Sequence, residues 1–310
     1  MRIVFMGTSE FAVPILKAIL QSRHEVVGVV TQPDKPAGRG RRVRVSPVKQ
    51  VAEEAGVPIY QPEKVRDHEF IQLMREVAPD AIVVAAYGQI IPPAILEIPK
   101  FGCINVHASL LPKYRGAAPV HYALFSGENR TGVTTMMMDP GLDTGPILLQ
   151  REIDIHPEDN EGSLEERLAE VGAQLLLETL DGLESGSVVP VPQDNSKATY
   201  APSVKREECM VDWEENADKI VNRVRGCTPR PGAFTLWHGS PLKIWQAFAL
   251  PEESDVKSPG EVIRVDKCGV FVQAGKGVVC LVEVQPENRT RMHAADFARG
   301  YGIGPGSRLN

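Results

Sequence analysis

Asn105 and His107 stand two residues apart in the stretch CINVHASLLP, residues 103–112. In an extended chain alternate side chains share a face, so an amide and an imidazole project together there. Further along, MMMDPGLDTGPI carries two carboxylates, Asp139 and Asp143, in a turn-rich loop. Each residue alone has a plain structural use: Asn105 can cap a turn, His107 can sit satisfied in a core, and either aspartate can cap its own turn. Together they suit acyl transfer from nitrogen to nitrogen. An amide NH2 and an imidazole can hold the oxyanion of a tetrahedral intermediate while a carboxylate orients the imidazole and relays protons. No side-chain nucleophile is needed when the acceptor brings its own amine, and Ser109 lacks the GxSxG context of a hydrolase elbow.

Such a pair must be fixed by a strand, and the first two hundred residues supply a series of them. RIVFM, EVVGVV, DAIVVAAY, CINVH and TGVTTMMM read as buried strands, with helical patterns at Phe11 to Leu20, Val48 to Ala55 and Phe70 to Val77. This alternation predicts an α/β fold with a Rossmann-like, doubly wound, mostly parallel sheet. Such sheets bind ligands beyond the carboxyl ends of their strands, where Asn105 and His107 lie. Ser163 with Glu166 predicts a capping box that opens a helix running to about Leu183. VVPVPQDNSKATYAPSVKREE then lacks periodicity and holds Pro190, Pro192 and Pro202, which reads as a linker. After a helical pattern from about Asn216 to Val224, the segments AFTLW, PLKIWQAF, GEVIRV, GVFVQA and GVVCLVEV follow without helices between them. They predict a small antiparallel β-barrel, OB-like in its strand count. The expected division is a catalytic domain over 1–189, a linker over 190–206 and a second domain over 207–310.

The 310 residues carry 34 Lys and Arg against 40 Asp and Glu, a net charge of −6 that gives no overall nucleic-acid signature. Residues 35–49 are the exception, with Lys35, Arg39, Arg41, Arg42, Arg44 and Lys49 and no acid. By itself such a run reads as a solvated charged segment. No apolar run approaches the roughly 20 residues of a membrane span, so no membrane partner is expected. MRIVFMG reads as a core strand and not as a secretory signal, and a cytoplasmic location is expected. Cys103, Cys209, Cys227, Cys268 and Cys280 are scattered without CxxC spacing, which fits reduced thiols and opposes a zinc site. The first βα turn, GTSEF, offers Gly7 alone where a dinucleotide site needs three glycines, which opposes a nicotinamide oxidoreductase.

Asn105, His107, Ser109, Leu110, Leu111 and Pro112, followed by GVTTMMMDPGLDTGPI, resemble the folate-dependent formyltransferase family. The resemblance implies a catalytic trio of Asn105, His107 and Asp143, and so selects Asp143 over Asp139. It implies 10-formyltetrahydrofolate as donor and no metal. The folate contacts would be Ser109, Leu110, Leu111 and Pro112, with a wall formed by AYGQII, residues Tyr87, Gly88, Gln89, Ile90 and Ile91 after Ala86. TQPDKPAGRGRRVRVSPVK and KYRGAAPVHYAL, with a second domain behind them, are similar to the members that formylate methionine esterified to initiator tRNA. In those members the basic loop enters the acceptor stem, which implies tRNA binding by Lys35, Arg39, Arg41 and Arg42 and by the domain over 207–310. That domain holds 13 Lys and Arg against 14 Asp and Glu, so a positive track must come from arrangement, for instance Arg223, Arg225 and Arg230. The alternative acceptor is a small amine such as a sugar nucleotide, although those family members lack the basic loop. A monomer is expected.

Overall fold

The computed structural model describes residues 1–37, 42–251 and 257–310. They form two compact units. The first comprises Met1–Gly116, Arg130–Asp154 and Glu165–Tyr200, and the second Ala117–Asn129, Ile155–Leu164 and Ala201–Asn310.

In the first unit, β1 (Arg2–Gly7), β2 (Glu25–Val30), β5 (Ile59–Tyr60), β6 (Ala81–Ala85), β7 (Cys103–His107), β8 (Arg130–Met137) and β9 (Ile147–Asp154) build one sheet. A separate antiparallel hairpin joins β3 (Lys35–Ala37) to β4 (Arg42–Arg44). The sheet order is β5-β2-β1-β6-β7-β8-β9. Neighbours are parallel from β5 to β7, and β8 runs against both β7 and β9. The predicted mostly parallel sheet is therefore present, and β8 is reversed within it. Its central strands are apolar along their length because both faces are covered: Ile3 to Met6 and Ala81 to Val83 are at 0% exposure.

The covering helices are α1 (Ala12–Leu20), α2 (Pro47–Glu54), α3 (His68–Val77), α4 (Pro93–Leu96) and α6 (Glu161–Ser185). In α2 a proline sits at the first helical position, and the Ser46 hydroxyl accepts from the Lys49 N–H at 3.1 Å. The cap of α6 falls earlier than predicted. Asn160 Oδ1 accepts from the Ser163 N–H and Ser163 Oγ accepts from the Asn160 N–H, each at 3.1 Å, so Ser163 is the returning partner of the box and not its first residue. Further along α6, a Cβ on Gly172 would lie 3.0 Å from Val106, which brings this helix close against β7.

The stretch read as a linker is partly fastened down. Val191 and Ile147 exchange two backbone hydrogen bonds of 2.8 Å. The Thr199 carbonyl accepts from the Arg115 N–H and its hydroxyl from the Tyr114 N–H, both at 2.8 Å. Residues 191–200 thus form a strap on the first unit, held by backbone and polar groups that leave no hydrophobic period in the sequence.

In the second unit, β10 (Ala233–Trp237), β11 (Ser240–Leu250), β12 (Val262–Asp266), β13 (Gly269–Gln273) and β14 (Val278–Pro286) form an antiparallel path β10-β11-β14-β13-β12, and β15 (Met292–His293) adds to β14. The five predicted strands are present, and the short β15 makes a sixth in the sheet. Three helices accompany it: α5 (Pro119–Phe125), α7 (Ala217–Cys227) and α8 (Ala294–Tyr301). Ile220 and Val224 of α7 and Phe297 of α8 pack with Ile244, Val272, Val279 and Leu281 in one core. Among the described residues, no helix is long and apolar enough to cross a membrane.

Candidate active site

β7 places Asn105 opposite Val84 of β6 and Met136 of β8, and His107 opposite Thr134 of β8. Because β8 is reversed, residues 138–146 leave the sheet beside Ile104 and fold back to reach Asn105 and His107. Asp143 meets both. Asn105 Nδ2 donates to Asp143 Oδ1 at 3.3 Å, and His107 Nδ1 lies 3.8 Å from Asp143 Oδ2. The Gly116 N–H also donates to Oδ2, at 2.8 Å. His107 Nε2 stands 3.0 Å from the Tyr114 carbonyl. Both ring nitrogens face acceptors, so the ring can donate to the two together only when doubly protonated. The predicted trio is one cluster, with His107 6% exposed.

The two aspartates differ in their partners. Asp139 accepts from the Gly141 N–H at 3.0 Å and from the Thr144 hydroxyl at 2.7 Å, which makes it the cap of its own loop. Asp143 instead turns its carboxylate to the strand residues, from a left-handed backbone with φ of 51°. Gly145 is required close by, since a Cβ there would stand 1.9 Å from the Met137 carbonyl.

Ser109 to Pro112 continue from β7. The Ser109 hydroxyl donates to Lys113 O at 2.7 Å. Thr134 Oγ1 donates to Ser109 O at 2.7 Å and accepts from the Leu111 N–H at 3.1 Å, while Gln150 Nε2 donates to Leu111 O at 2.9 Å. Thr134 and Gln150 therefore shape this turn, and neither stood out in the sequence. Leu111 is buried, and Leu110 and Pro112 are partly exposed.

The Ala86 to Ile91 loop leaves the carboxyl end of β6, where the strand order reverses direction between β1 and β6. Thr8 Oγ1 donates to Tyr87 O at 2.9 Å and ties the β1 and β6 loops together. Gly88 has φ of 89°, and Gln89 is held by the Val65 N–H at 3.0 Å and by Glu63 O at 3.2 Å. Ile90 is 88% exposed. The side chains of Tyr87 and Ile91 belong to the core cluster around Met6, Phe70 and Val84, and burial pushes the Tyr87 phenol up to about 12.

Of the basic residues, Arg39 and Arg41 lie outside the described residues, and Lys35 and Arg42 belong to the β3–β4 hairpin. Two residues suggested for a positive track in the second unit are engaged internally. Arg223 donates to Glu208 O at 2.5 Å and to Glu215 Oε2 at 2.8 Å, and Arg225 donates to Asp159 O and His156 O at 2.7 Å. Burial lowers the Arg225 guanidinium from its usual range. A different group of cations stands on β11 and its surroundings. The Trp245 ring has the Arg291 guanidinium 3.6 Å and the Lys243 ammonium 5.2 Å from its centroid. A Cβ on Gly232 would be 3.4 Å from Lys243 Nζ, so the turn after exposed Arg230 adjoins this group. The Glu283 carboxylate lies 3.8 Å from Arg291.

A doubly wound sheet with an amide, an imidazole and a carboxylate converging on one strand end suits a group-transfer enzyme. Residues 1–180 match the family described as formyl transferase, and residues 203–302 match its C-terminal domain. The chain belongs to the formyl transferase family. A methionyl-tRNA formyltransferase from Citrifermentans bemidjiense is 49% identical over 309 residues, which cover 100% of this chain and 96% of that one. Two solved structures share the fold. HypX from Aquifex aeolicus in complex with tetrahydrofolic acid has a TM-score of 0.62 at 20% identity, and the match covers 98% of this chain and 48% of that longer one. The Helicobacter canadensis N-formyltransferase in complex with folinic acid and dTDP-3-aminofucose has a TM-score of 0.64 at 17% identity, with 91% and 99% of the two chains covered.

Proposed function

We propose that this protein transfers the formyl group of 10-formyltetrahydrofolate to the α-amino group of methionyl initiator tRNA, as a cytoplasmic monomer serving translation initiation. The observation that carries the reading is the end-to-end match, at 49% identity, to a methionyl-tRNA formyltransferase.

The acceptor amine must be neutral to attack. An α-amino group titrates near pH 8, and esterification of the neighbouring carboxyl lowers it further, so an unprotonated fraction exists without a strong base. As the amine adds to the formyl carbon, Asn105 Nδ2 holds the developing oxyanion, joined by the His107 Nε2–H once it leaves the Tyr114 carbonyl. Asp143 orients His107 and relays the proton from the attacking nitrogen toward the departing folate nitrogen. The folate supplies the one-carbon unit, and the protein supplies orientation and fixed dipoles. Its binding is assigned to the turn from Ser109 to Pro112 and the loop from Tyr87 to Ile91, whose backbones are rigidly held by the bonds described above. Domain 1–189 is assigned the chemistry, and domain 207–310 a share of the tRNA contacts through Arg230, Lys243 and Arg291. Lys35, Arg39, Arg41 and Arg42 are assigned to the acceptor stem.

The test is formylation by purified protein of charged initiator tRNA, charged elongator methionine tRNA and a dTDP-amino sugar, each with 10-formyltetrahydrofolate. Rapid turnover on the initiator alone supports the reading. Turnover on the sugar without turnover on tRNA replaces it.

A further inference from the structure

Gln193 lies in the strap of residues 191–200, and the chemistry above leaves it unused. Its Nε2 donates to Asp143 O at 2.8 Å and to Gly145 O at 2.7 Å. Its Oε1 accepts from Arg115 Nε at 3.1 Å and from Arg115 Nη2 at 2.7 Å. Arg115 is only 2% exposed, and the same Nη2 reaches Asn195 Oδ1 at 2.8 Å. A guanidinium only donates and a peptide carbonyl only accepts, so the Gln193 amide has a single consistent orientation between them. The loop it grips needs such a hold. Asp143 occupies the left-handed region at φ of 51°, which residues other than glycine rarely adopt without support from their surroundings.

We infer that Gln193 is a positioning residue for Asp143. It grips the carbonyls on either side of Thr144, and so fixes the Asp143 carboxylate against Asn105 and His107, while buried Arg115 fixes Gln193 in turn. The inference rests on the assignment of Asp143 to the proton relay.

Two variants and a double-mutant cycle test it. Gln193→Met keeps the length of the side chain and removes both donors. Gln193→Glu keeps an acceptor for Arg115, which supports folding, but turns an oxygen toward the two carbonyls. Each should lower kcat on charged initiator tRNA by about 10- to 100-fold, the scale of a small misplacement of a catalytic group, with KM and formylfolate affinity changed by less than about twofold. In an Asp143→Ala background, Gln193→Met should change turnover by less than about twofold, because the group it positions is gone. An equal loss in both backgrounds would mark a merely structural role and overturn the inference, as would turnover near that of the unaltered protein. A second readout needs no substrate. In the free protein, Gln193→Met should move the NMR signal of the Asn105 side-chain amide toward its position in Asp143→Ala, and an unmoved signal overturns the inference. Should the unaltered protein fail to formylate charged tRNA, the functional reading falls, and the Asn105 signal decides the role of Gln193 on its own.

Discussion

Gly116 and Asp143 are joined by one hydrogen bond, from the Gly116 N–H to Asp143 Oδ2 at 2.8 Å, and that oxygen is the one facing His107. The backbone thus fixes which oxygen serves the imidazole, and leaves Oδ1 to the Asn105 amide. A neutral amide in place of the carboxylate can still accept from Gly116. Asp143→Asn should therefore fold and bind formylfolate, yet lose about 100- to 10,000-fold in turnover, the usual worth of positioned proton transfer. Asn105→Ala and His107→Ala should each lose about 100- to 1,000-fold, the worth of one oxyanion donor. Steady-state assays with circular dichroism check all three, and near-normal turnover in a folded variant would remove that residue from the trio.

Gly145 allows the return of the Asp143 loop over β8. A methyl group there would stand 1.9 Å from the Met137 carbonyl, which is backbone and cannot swing aside. Gly145→Ala should lower stability by about 1 to 3 kcal/mol, the range for forced overpacking, and should lower turnover with it. Urea denaturation measures the first effect. An unchanged midpoint would show that the loop yields without strain.

The second unit has a pH signature. Burial of His121 lowers its imidazole from the usual range, against an opposing hydrogen bond to Arg230 O at 3.3 Å. With the folded-state pKa below the unfolded value of about 6.5, the unfolded chain binds the proton more readily. The stability that His121 contributes is fully present above about pH 6.5 and is lost as the pH falls through that value toward the folded pKa. His121→Gln should flatten the fall of the urea midpoint between about pH 7 and 5, and an unaltered fall would assign it to other groups.

Contacts with tRNA should be read from salt dependence. Lys243→Gln and Arg291→Gln should each weaken tRNA binding and make the slope of log affinity on log salt shallower by roughly 0.7 to 0.9. Arg39→Leu, in the basic loop, should cut formylation of charged initiator tRNA severely while leaving formylfolate affinity almost unchanged. Unaltered slopes and turnover would return these residues to the status of solvated surface charges.

The sequence showed most of the first sheet, because the β-branched runs at β1, β6 and β7 are largely buried on both faces, and that of β2 over its second half. It hid β9, whose Arg151, Glu152 and Asp154 belong to an edge strand open to water on one side. The cluster of Asn105, His107 and Asp143 was legible as residue types at a spacing, but composition alone did not show that Asp143 and not Asp139 meets Asn105, because only their hydrogen-bond partners differ. Gln193, Thr134 and Gln150 were illegible for a physical reason: they act through single amide and hydroxyl contacts to backbone, which carry no periodicity and no motif. Arg223 and Arg225 were misplaced because sequence shows charge and not partners, and theirs lie within the unit.

The strap also sets the order in which the pocket is completed. Gln193 is 78 residues beyond Arg115 and 50 beyond Asp143. On the ribosome, every strand through β9 is synthesised before Gln193 emerges, so the order follows from position in the chain and not from loop length: the β1–β6 pairing of the sheet also spans 78 residues, from Ile3 to Ala81. Asn105 and His107 are thus in place while Asp143 still lacks its grip. In a chain arrested on the ribosome before Gln193 emerges, the sheet should therefore form ahead of catalytic competence, with emergence of the strap as the interval between them.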